Sequence, residues 1–182
     1  RCMHAALDRR VYAGRQGAET VDQWVLACTP EIDNLRSAIE WACGPGGDAA
    51  VALDLVNVAA VLMYQAGRYP ECLRWMLMAE PLIGESTPAQ VVAEFSLGLA
   101  LVGLHGGVGV QRRVELLDRA CEIFERQPPD GLLALSLCSS AYVAAVSGDF
   151  DKAERRLAQC RKLVEQPGLR AFKGTLLYCT GM

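Results

Sequence analysis

The sequence has few of the residues from which catalytic and metal sites are built. It contains only two histidines, His4 and His105, which lie far apart in the chain, so a histidine-assisted nucleophile is not indicated. It also lacks the G-x-x-x-x-G-K-[ST] phosphate loop of nucleotide-binding ATPases. We therefore predict that the chain is not an enzyme and has no catalytic residues, no cofactor and no bound metal.

The eight cysteines lack the close spacing that zinc sites and redox motifs require. The two nearest in sequence, Cys28 and Cys43, are too far apart for C-x-x-C. We interpret the cysteines as small core residues in a reducing compartment, and we expect a cytoplasmic protein. No basic and then apolar leader follows Arg1, which favours an internal fragment of a larger protein.

The sequence also lacks a long basic stripe. Its 18 basic and 21 acidic residues are mixed along the chain and leave a net charge of −3, so we predict no direct contact with nucleic acid. The longest apolar stretch, Ala49 to Ala66, is interrupted by Asp54, Asn57 and Gln65. We predict a buried helix there and no membrane span.

Apolar residues recur at spacings of three and four, and alternation with period two is almost absent, so the fold class is predicted to be all-α. Three helix starts carry capping signals. Thr29 precedes Pro30 and can cap the helix that follows, Thr87 and Gln90 can form a capping box, and Asp130 can cap a third helix. The predicted helices are Ala5–Arg15, Val21–Cys28, Pro30–Cys43, Pro88–His105, Val110–Phe124, one from Asp130 to about Ser147, Asp151–Glu165 and one from near Leu169.

An internal repeat is the most informative feature of the sequence. One template occurs twice with identical spacing, first as Ala60, Gly67, Tyr69, Cys72, Met76 and Ala79, and again as Ala141, Gly148, Phe150, Ala153, Leu157 and Cys160. The offset corresponds to two units of about forty residues. A middle unit would place Leu117 and Ala120 in register, although Arg113 then replaces a small residue and Val110 the aromatic.

Each template position has a physical reason. A small residue in the first helix lets the second helix approach, glycine permits a tight turn, and the aromatic residue after it plugs the junction. This pattern resembles the tetratricopeptide repeat, which implies a right-handed superhelix of antiparallel helix pairs, an α-α solenoid. We expect residues 1–47 to form N-terminal helices and residues 48–182 to form about three helix pairs and a C-terminal helix in one continuous domain.

A second resemblance covers Pro30 to Met76. The run Glu31-Ile-Asp-Asn-Leu-Arg-Ser-Ala-Ile-Glu-Trp-Ala42, followed by Gly67-Arg-Tyr69 and Leu73-Arg-Trp75, is similar to a segment of large signalling ATPases and LuxR-family transcriptional regulators of bacteria, especially actinobacteria. In that family the segment follows the ATPase module and opens a helical-repeat region. The resemblance implies a regulatory region, since this chain has neither the phosphate loop nor a recognisable helix-turn-helix.

We therefore expect a regulatory domain that binds a protein segment or a neighbouring domain of its parent chain. Two alternatives are a small-molecule sensor with a ligand in the groove, and a self-association module that forms a homodimer. Polar residues of the first helices are predicted to line the groove, namely Asn57, Tyr64, Glu94, Ser136, Ser140 and Tyr142. Trp24, Trp41 and Trp75 are interpreted as packing anchors, and His105 as a residue at the negative end of a helix dipole.

Overall fold

A computed structural model describes residues 21–105 and 107–180. These residues are helical throughout their regular structure and contain no β-strand, as the spacing of the apolar residues predicts. The predicted helix Ala5–Arg15 lies outside the described residues. The nine α-helices of the described ranges are α1 Val21–Cys28, α2 Ile32–Ala42, α3 Ala49–Gln65, α4 Tyr69–Ala79, α5 Ala89–Gly103, α6 Val110–Phe124, α7 Gly131–Ser147, α8 Phe150–Val164 and α9 Lys173–Thr180.

Short 3₁₀ helices continue or precede several of these elements, at Thr29–Glu31, Glu80–Leu82 and Pro167–Phe172. The helix predicted from Pro30 therefore begins with a 3₁₀ turn, and the helix predicted near Leu169 becomes α-helical only at Lys173. Tight turns of this kind are frequent at helix ends.

Capping by aspartate fixes the start of three helices. Asp130 accepts hydrogen bonds from the amides of Leu132 and Leu133 at 2.9 and 3.1 Å, which confirms the predicted cap of α7. Asp48 caps α3 in the same way, and Asp149 caps α8. A carboxylate at this position satisfies amides that have no partner inside the helix.

Two predicted caps are wrong. The Thr29 hydroxyl donates to the carbonyl of Val25 at 2.8 Å and does not cap the following helix. The Thr87 hydroxyl accepts from the amide of Gly84 at 3.0 Å, while Gln90 donates to the Glu94 carboxylate, so no capping box forms. Thr29 lies inside the 3₁₀ turn that continues α1 and so does not occupy a cap position, whereas the Thr87 oxygen accepts from Gly84 in place of the helix amides.

The chain folds into three consecutive helix pairs, α3 with α4, α5 with α6, and α7 with α8, and each helix packs against the next. The turn inside each pair has one glycine in the left-handed region, at Gly67, Gly107 and Gly148 with φ of 70°, 94° and 87°. After each glycine, the next amide bonds to a carbonyl five residues earlier, from Arg68 to Met63, from Val108 to Gly103 and from Asp149 to Ala144. The middle turn therefore shares this glycine and this hydrogen bond with the other two, but it spans residues 104–109, against 66–68 and 148–149 in the other pairs.

The first helices of the pairs, α3, α5 and α7, form the interior of the molecule. They are apolar on nearly every side and most of their residues are buried, as expected for a helix surrounded by other helices. The tightest approach joins α3 to α5, where a Cβ added to Gly98 would lie 2.7 Å from Cβ of Ala60 and 3.2 Å from Cε of Met76. Ala60 is the small residue of the template. The template predicts that it lets the second helix of its own pair approach, whereas the tight contact seen here is with α5, the first helix of the next pair.

The second helices α4, α6 and α8 are amphipathic, and ion pairs link each of them to an outer helix that precedes it in the chain. Arg36 and Glu40 of α2 pair with Glu71 and Arg74 of α4 at 2.6 and 3.0 Å. Because both contacts advance together along the two helices, α2 and α4 run in the same direction. Arg112 pairs with Glu80, and α8 pairs with α6 through Lys152–Asp118 and Arg156–Glu125 at 2.6 and 2.7 Å.

These ion pairs are partly exposed to solvent, so we expect them to fix the register of the outer helices more than they add stability. Arg36 pairs with two carboxylates. Its guanidinium donates to the carboxylates of Glu71 and Asp33, which raises the pKa of Arg36.

The predicted buried helix at Ala49 to Ala66 corresponds to α3. Ten of its residues are buried, among them Ala59, Ala60 and Met63. Within residues 21–105 and 107–180, no helix has both the length and the apolar character needed to cross a membrane.

We predict that Gly98→Ala destabilises the protein. Alanine ordinarily favours a helix interior over glycine by about 1 kcal/mol, but the added methyl would overlap Ala60 and force α3 and α5 apart. Overpacking of this kind costs about 1–3 kcal/mol and outweighs the gain. Chemical denaturation should show a lower free energy of unfolding.

Gly174→Ala is the matched control, because a Cβ added at Gly174 meets no heavy atom within 4 Å. Its unfolding midpoint should stay the same or rise slightly. Equal stability of Gly98→Ala and the parent protein would contradict the close approach of α3 and α5.

Candidate partner-binding surface

Three of the six predicted groove residues lie inside the helix packing. Asn57 is buried, and its Nδ2 donates to the carbonyl of Val91 at 3.0 Å, which bridges α3 and α5. Ser136 and Ser140 of α7 are also buried. These three side chains are not displayed on the surface of the described chain, because the first helices are covered on almost every side.

The other three predicted groove residues, Tyr64, Glu94 and Tyr142, are half-buried. Tyr64 and Tyr142 pack against the core, and all three side chains keep part of their surface exposed. We group the partly exposed residues of the three first helices as the first-helix strip. It is made of partly exposed residues at helical spacing, Asp54, Val61 and Tyr64 on α3, Glu94 on α5, and Leu135, Ser139 and Tyr142 on α7.

An aromatic cluster lies at one end of the strip, where the first pair meets the second. The ring of His105 stacks on Tyr69 with centroids 3.9 Å apart, and Tyr64 contacts Tyr69 edge-on at 5.6 Å. Tyr69 therefore plugs this junction as the template predicts. The same prediction is wrong for Phe150, whose side chain is 67% exposed.

A second exposed surface lies on the outer helices. Leu77 and Met78 of α4 are 49% and 39% exposed, and they line a broad open depression of about 440 Å³ together with Pro70, Leu73 and Arg74. We call these five residues the α4 patch. A contiguous apolar surface that monomers leave exposed often marks a binding site.

The three tryptophans do not share one role. Trp75 is fully buried, as predicted for a packing anchor, whereas Trp41 is 66% exposed and the prediction is wrong for it. Trp41 lies at the end of α2, next to the Glu40 that pairs with Arg74 of the α4 patch. The side chain of Trp24 lies outside the described residues.

The described residues offer little for covalent chemistry. They contain no group of three or more histidine, cysteine, aspartate or glutamate side chains that could hold a metal ion. Five of the cysteines, at 28, 72, 121, 138 and 160, are buried, as predicted for core residues. Burial raises the pKa of the Cys72 and Cys121 thiols to about 12, so these thiols stay protonated at neutral pH and are poor nucleophiles.

Arg113 is a buried charged residue, and it stands where the repeat template has a small residue. It is 7% exposed, and its Nε and Nη1 have no hydrogen-bond partner. It stands in α6 at the register position of Cys72 in α4 and Ala153 in α8. Burying polar groups without partners costs free energy, so we expect Arg113 to weaken the second helix pair.

Comparisons with protein-family models, with curated proteins and with solved structures found no match to this chain. The first-helix strip and the α4 patch both lie on helices of the three repeated pairs.

We predict that Arg113→Met raises the free energy of unfolding by about 1–3 kcal/mol, because methionine fills a similar volume without a charge to desolvate. Urea denaturation of both proteins measures the difference. Arg119→Met, an exposed position of the same helix, should change stability by less than about 0.5 kcal/mol. If Arg113→Met instead lowers the free energy of unfolding by about 1–3 kcal/mol, the guanidinium has a stabilising partner.

Proposed function

We propose that this chain is the protein-binding, regulatory region of a larger cytoplasmic bacterial regulator, a signalling ATPase or LuxR-type transcriptional regulator. Its helix pairs form a tetratricopeptide-like right-handed superhelix that binds a protein segment or a neighbouring domain of the parent chain. The observation that carries this proposal is the recurrence of one turn geometry at Gly67, Gly107 and Gly148. Stacked copies of a helix pair are typical of binding scaffolds with extended surfaces.

The first-helix strip is the proposed binding surface. It combines the tyrosines Tyr64 and Tyr142 with the carboxylates Asp54 and Glu94, all of them partly exposed. Tyrosine offers a large rigid contact area with a polar tip, and carboxylates favour a basic partner. A segment with apolar and basic side chains fits this surface best.

Regulation follows from the energetics of such binding. If the partner segment belongs to the ATPase module or an adjoining domain, docking on the strip stabilises one arrangement of the parent protein over another. A signal that competes for the strip, or alters it, then shifts the population between the two states by the difference in binding free energy. The chain itself needs no catalytic group for this role.

A crosslinking experiment tests the proposed surface in the full-length protein that contains this chain. A photoreactive phenylalanine analogue replaces Tyr142 in one variant and Met78 in another. We expect the probe at position 142 to crosslink to peptides outside residues 1–182, and the probe at position 78 to give no such product. Crosslinks from position 78 with none from position 142 would contradict the proposal that the partner binds the first-helix strip.

Binding should also respond to substitution once the docked domain is identified by those crosslinks. Tyr142→Ala is expected to weaken its binding about tenfold or more, because a central tyrosine at an interface often contributes over 1 kcal/mol. Calorimetric titration of the separately purified domain measures this. Leu77→Ser, on the α4 patch, is the matched control and should leave the dissociation constant unchanged.

Self-association through the α4 patch is a second candidate function, favoured by the exposure of Trp41, Leu77 and Met78. The remaining alternative, a small-molecule sensor, has less support. The two depressions described, the α4 patch and a charged one that includes Asp118 and Lys152, are broad and open, whereas ligand pockets usually enclose most of the ligand.

Sedimentation velocity over a range of protein concentrations tests self-association. If the α4 patch forms a dimer, the sedimentation coefficient rises with concentration, and Leu77→Ser combined with Met78→Ser abolishes the rise. A coefficient that stays at the monomer value for the parent protein would sink this candidate. Tyr142→Ala is the control from the other surface and should not alter the result.

A further inference from the structure

Two thiols of the third helix pair lie in direct contact. Cys138 of α7 and Cys160 of α8 have their sulfur atoms 3.2 Å apart, although the residues are 22 positions apart in the sequence. Both side chains are buried, with 1% and 0% exposure. Of the six described cysteines, these two form the sulfur–sulfur contact that joins neighbouring helices.

The surroundings orient the two thiols. The Cys160 thiol can donate to the carbonyl of Ala134, with a distance of 3.7 Å, and this leaves its sulfur to accept from the Cys138 thiol. A disulfide needs the sulfurs to come within about 2.05 Å. The required movement is on the order of 1 Å, which side-chain rotation and a small helix adjustment can supply.

We propose that Cys138 and Cys160 are a reversible dithiol–disulfide pair that fastens α7 to α8 when the protein meets a small disulfide oxidant. The thiols are the resting form, and the disulfide is the response. In reducing compartments, disulfides of this kind are usually transient and regulatory. This inference does not depend on the proposed binding function.

The reaction balances with one disulfide molecule as oxidant. One protein thiolate attacks a sulfur of glutathione disulfide, forms a mixed disulfide and releases one glutathione thiolate. The second protein thiolate then attacks the protein sulfur of the mixed disulfide, closes the Cys138–Cys160 bond and releases the second glutathione. The protein loses two electrons and two protons, and the oxidant becomes two glutathione thiols.

Burial sets the rate of this reaction. Neither sulfur is accessible while α8 is packed on α7, so the oxidant reacts when the pair opens locally. Once closed, the bond restricts the loop from residue 138 to residue 160. The oxidised third pair should then open less often than the reduced one, because the crosslink limits the open and unfolded states.

The direct test uses the reduced protein and glutathione disulfide as the oxidant. After incubation, the protein is denatured, its remaining thiols are alkylated, and its peptides are analysed by mass spectrometry. We expect one linked pair of peptides, carrying Cys138 and Cys160, that dithiothreitol separates. If both cysteines are alkylated after prolonged oxidation, or if either is linked to a different cysteine, the proposal is wrong.

Three variants sharpen the result. Cys138→Ser and Cys160→Ser should each lose the linked peptides, with Cys138→Ala and Cys160→Ala as substitutes if serine unfolds the core. Cys121→Ser removes another buried thiol of the same core and should leave the linked peptides unchanged. Loss of the linkage in Cys121→Ser would overturn the assignment.

Thermal unfolding gives an independent readout. A closed loop of this size should raise Tm by roughly 5–10 °C in the oxidised protein relative to the reduced one. The rise should vanish on adding dithiothreitol, and it should be absent in Cys138→Ser. An unchanged or lower Tm in the crosslinked protein would contradict a bond that fits the native packing.

Discussion

The close contact between the first helices is the constraint on which the rest of the structure depends. Gly98 of α5 approaches Ala60 of α3 with no room for another methyl group. Because the first helices pack so tightly, they become the interior of the molecule and must be apolar on nearly every side. The second helices then lie outside, where ion pairs set their register and where charged residues and exposed apolar side chains are found.

This arrangement decides where function can be located. The first helices are mostly buried, and their partly exposed residues include Tyr64, Glu94 and Tyr142. The second helices carry the α4 patch. In the third pair, Cys138 of α7 contacts Cys160 of α8, and we propose that this contact lets the interior respond to oxidation.

Much of the fold could be predicted because its signals are local. The spacing of apolar residues gave α6 its observed ends, Val110 and Phe124, and Asp130 is the cap that its place in the sequence predicts. The repeat template located the turns at Gly67 and Gly148. It did not locate the middle turn, whose left-handed residue is Gly107, because the connection between α5 and α6 is longer than the other two.

Other features depend on tertiary contacts that the sequence does not display. Thr29 lies inside a 3₁₀ turn that continues α1, and the Thr87 oxygen accepts from the amide of Gly84, so neither residue caps the helix that follows it. Asn57, Ser136 and Ser140 were predicted to line a groove because they are polar residues of the first helices. The helices that carry them are surrounded by other helices, and the nearly uniform apolar character of α3 and α7 could have indicated this.

Native-state hydrogen exchange tests most directly the claim that the first helices form the interior. We expect the amides of residues 49–65, 89–103 and 131–147 to exchange most slowly, and slower exchange in residues 69–79, 110–124 and 150–164 would contradict an interior made of the first helices.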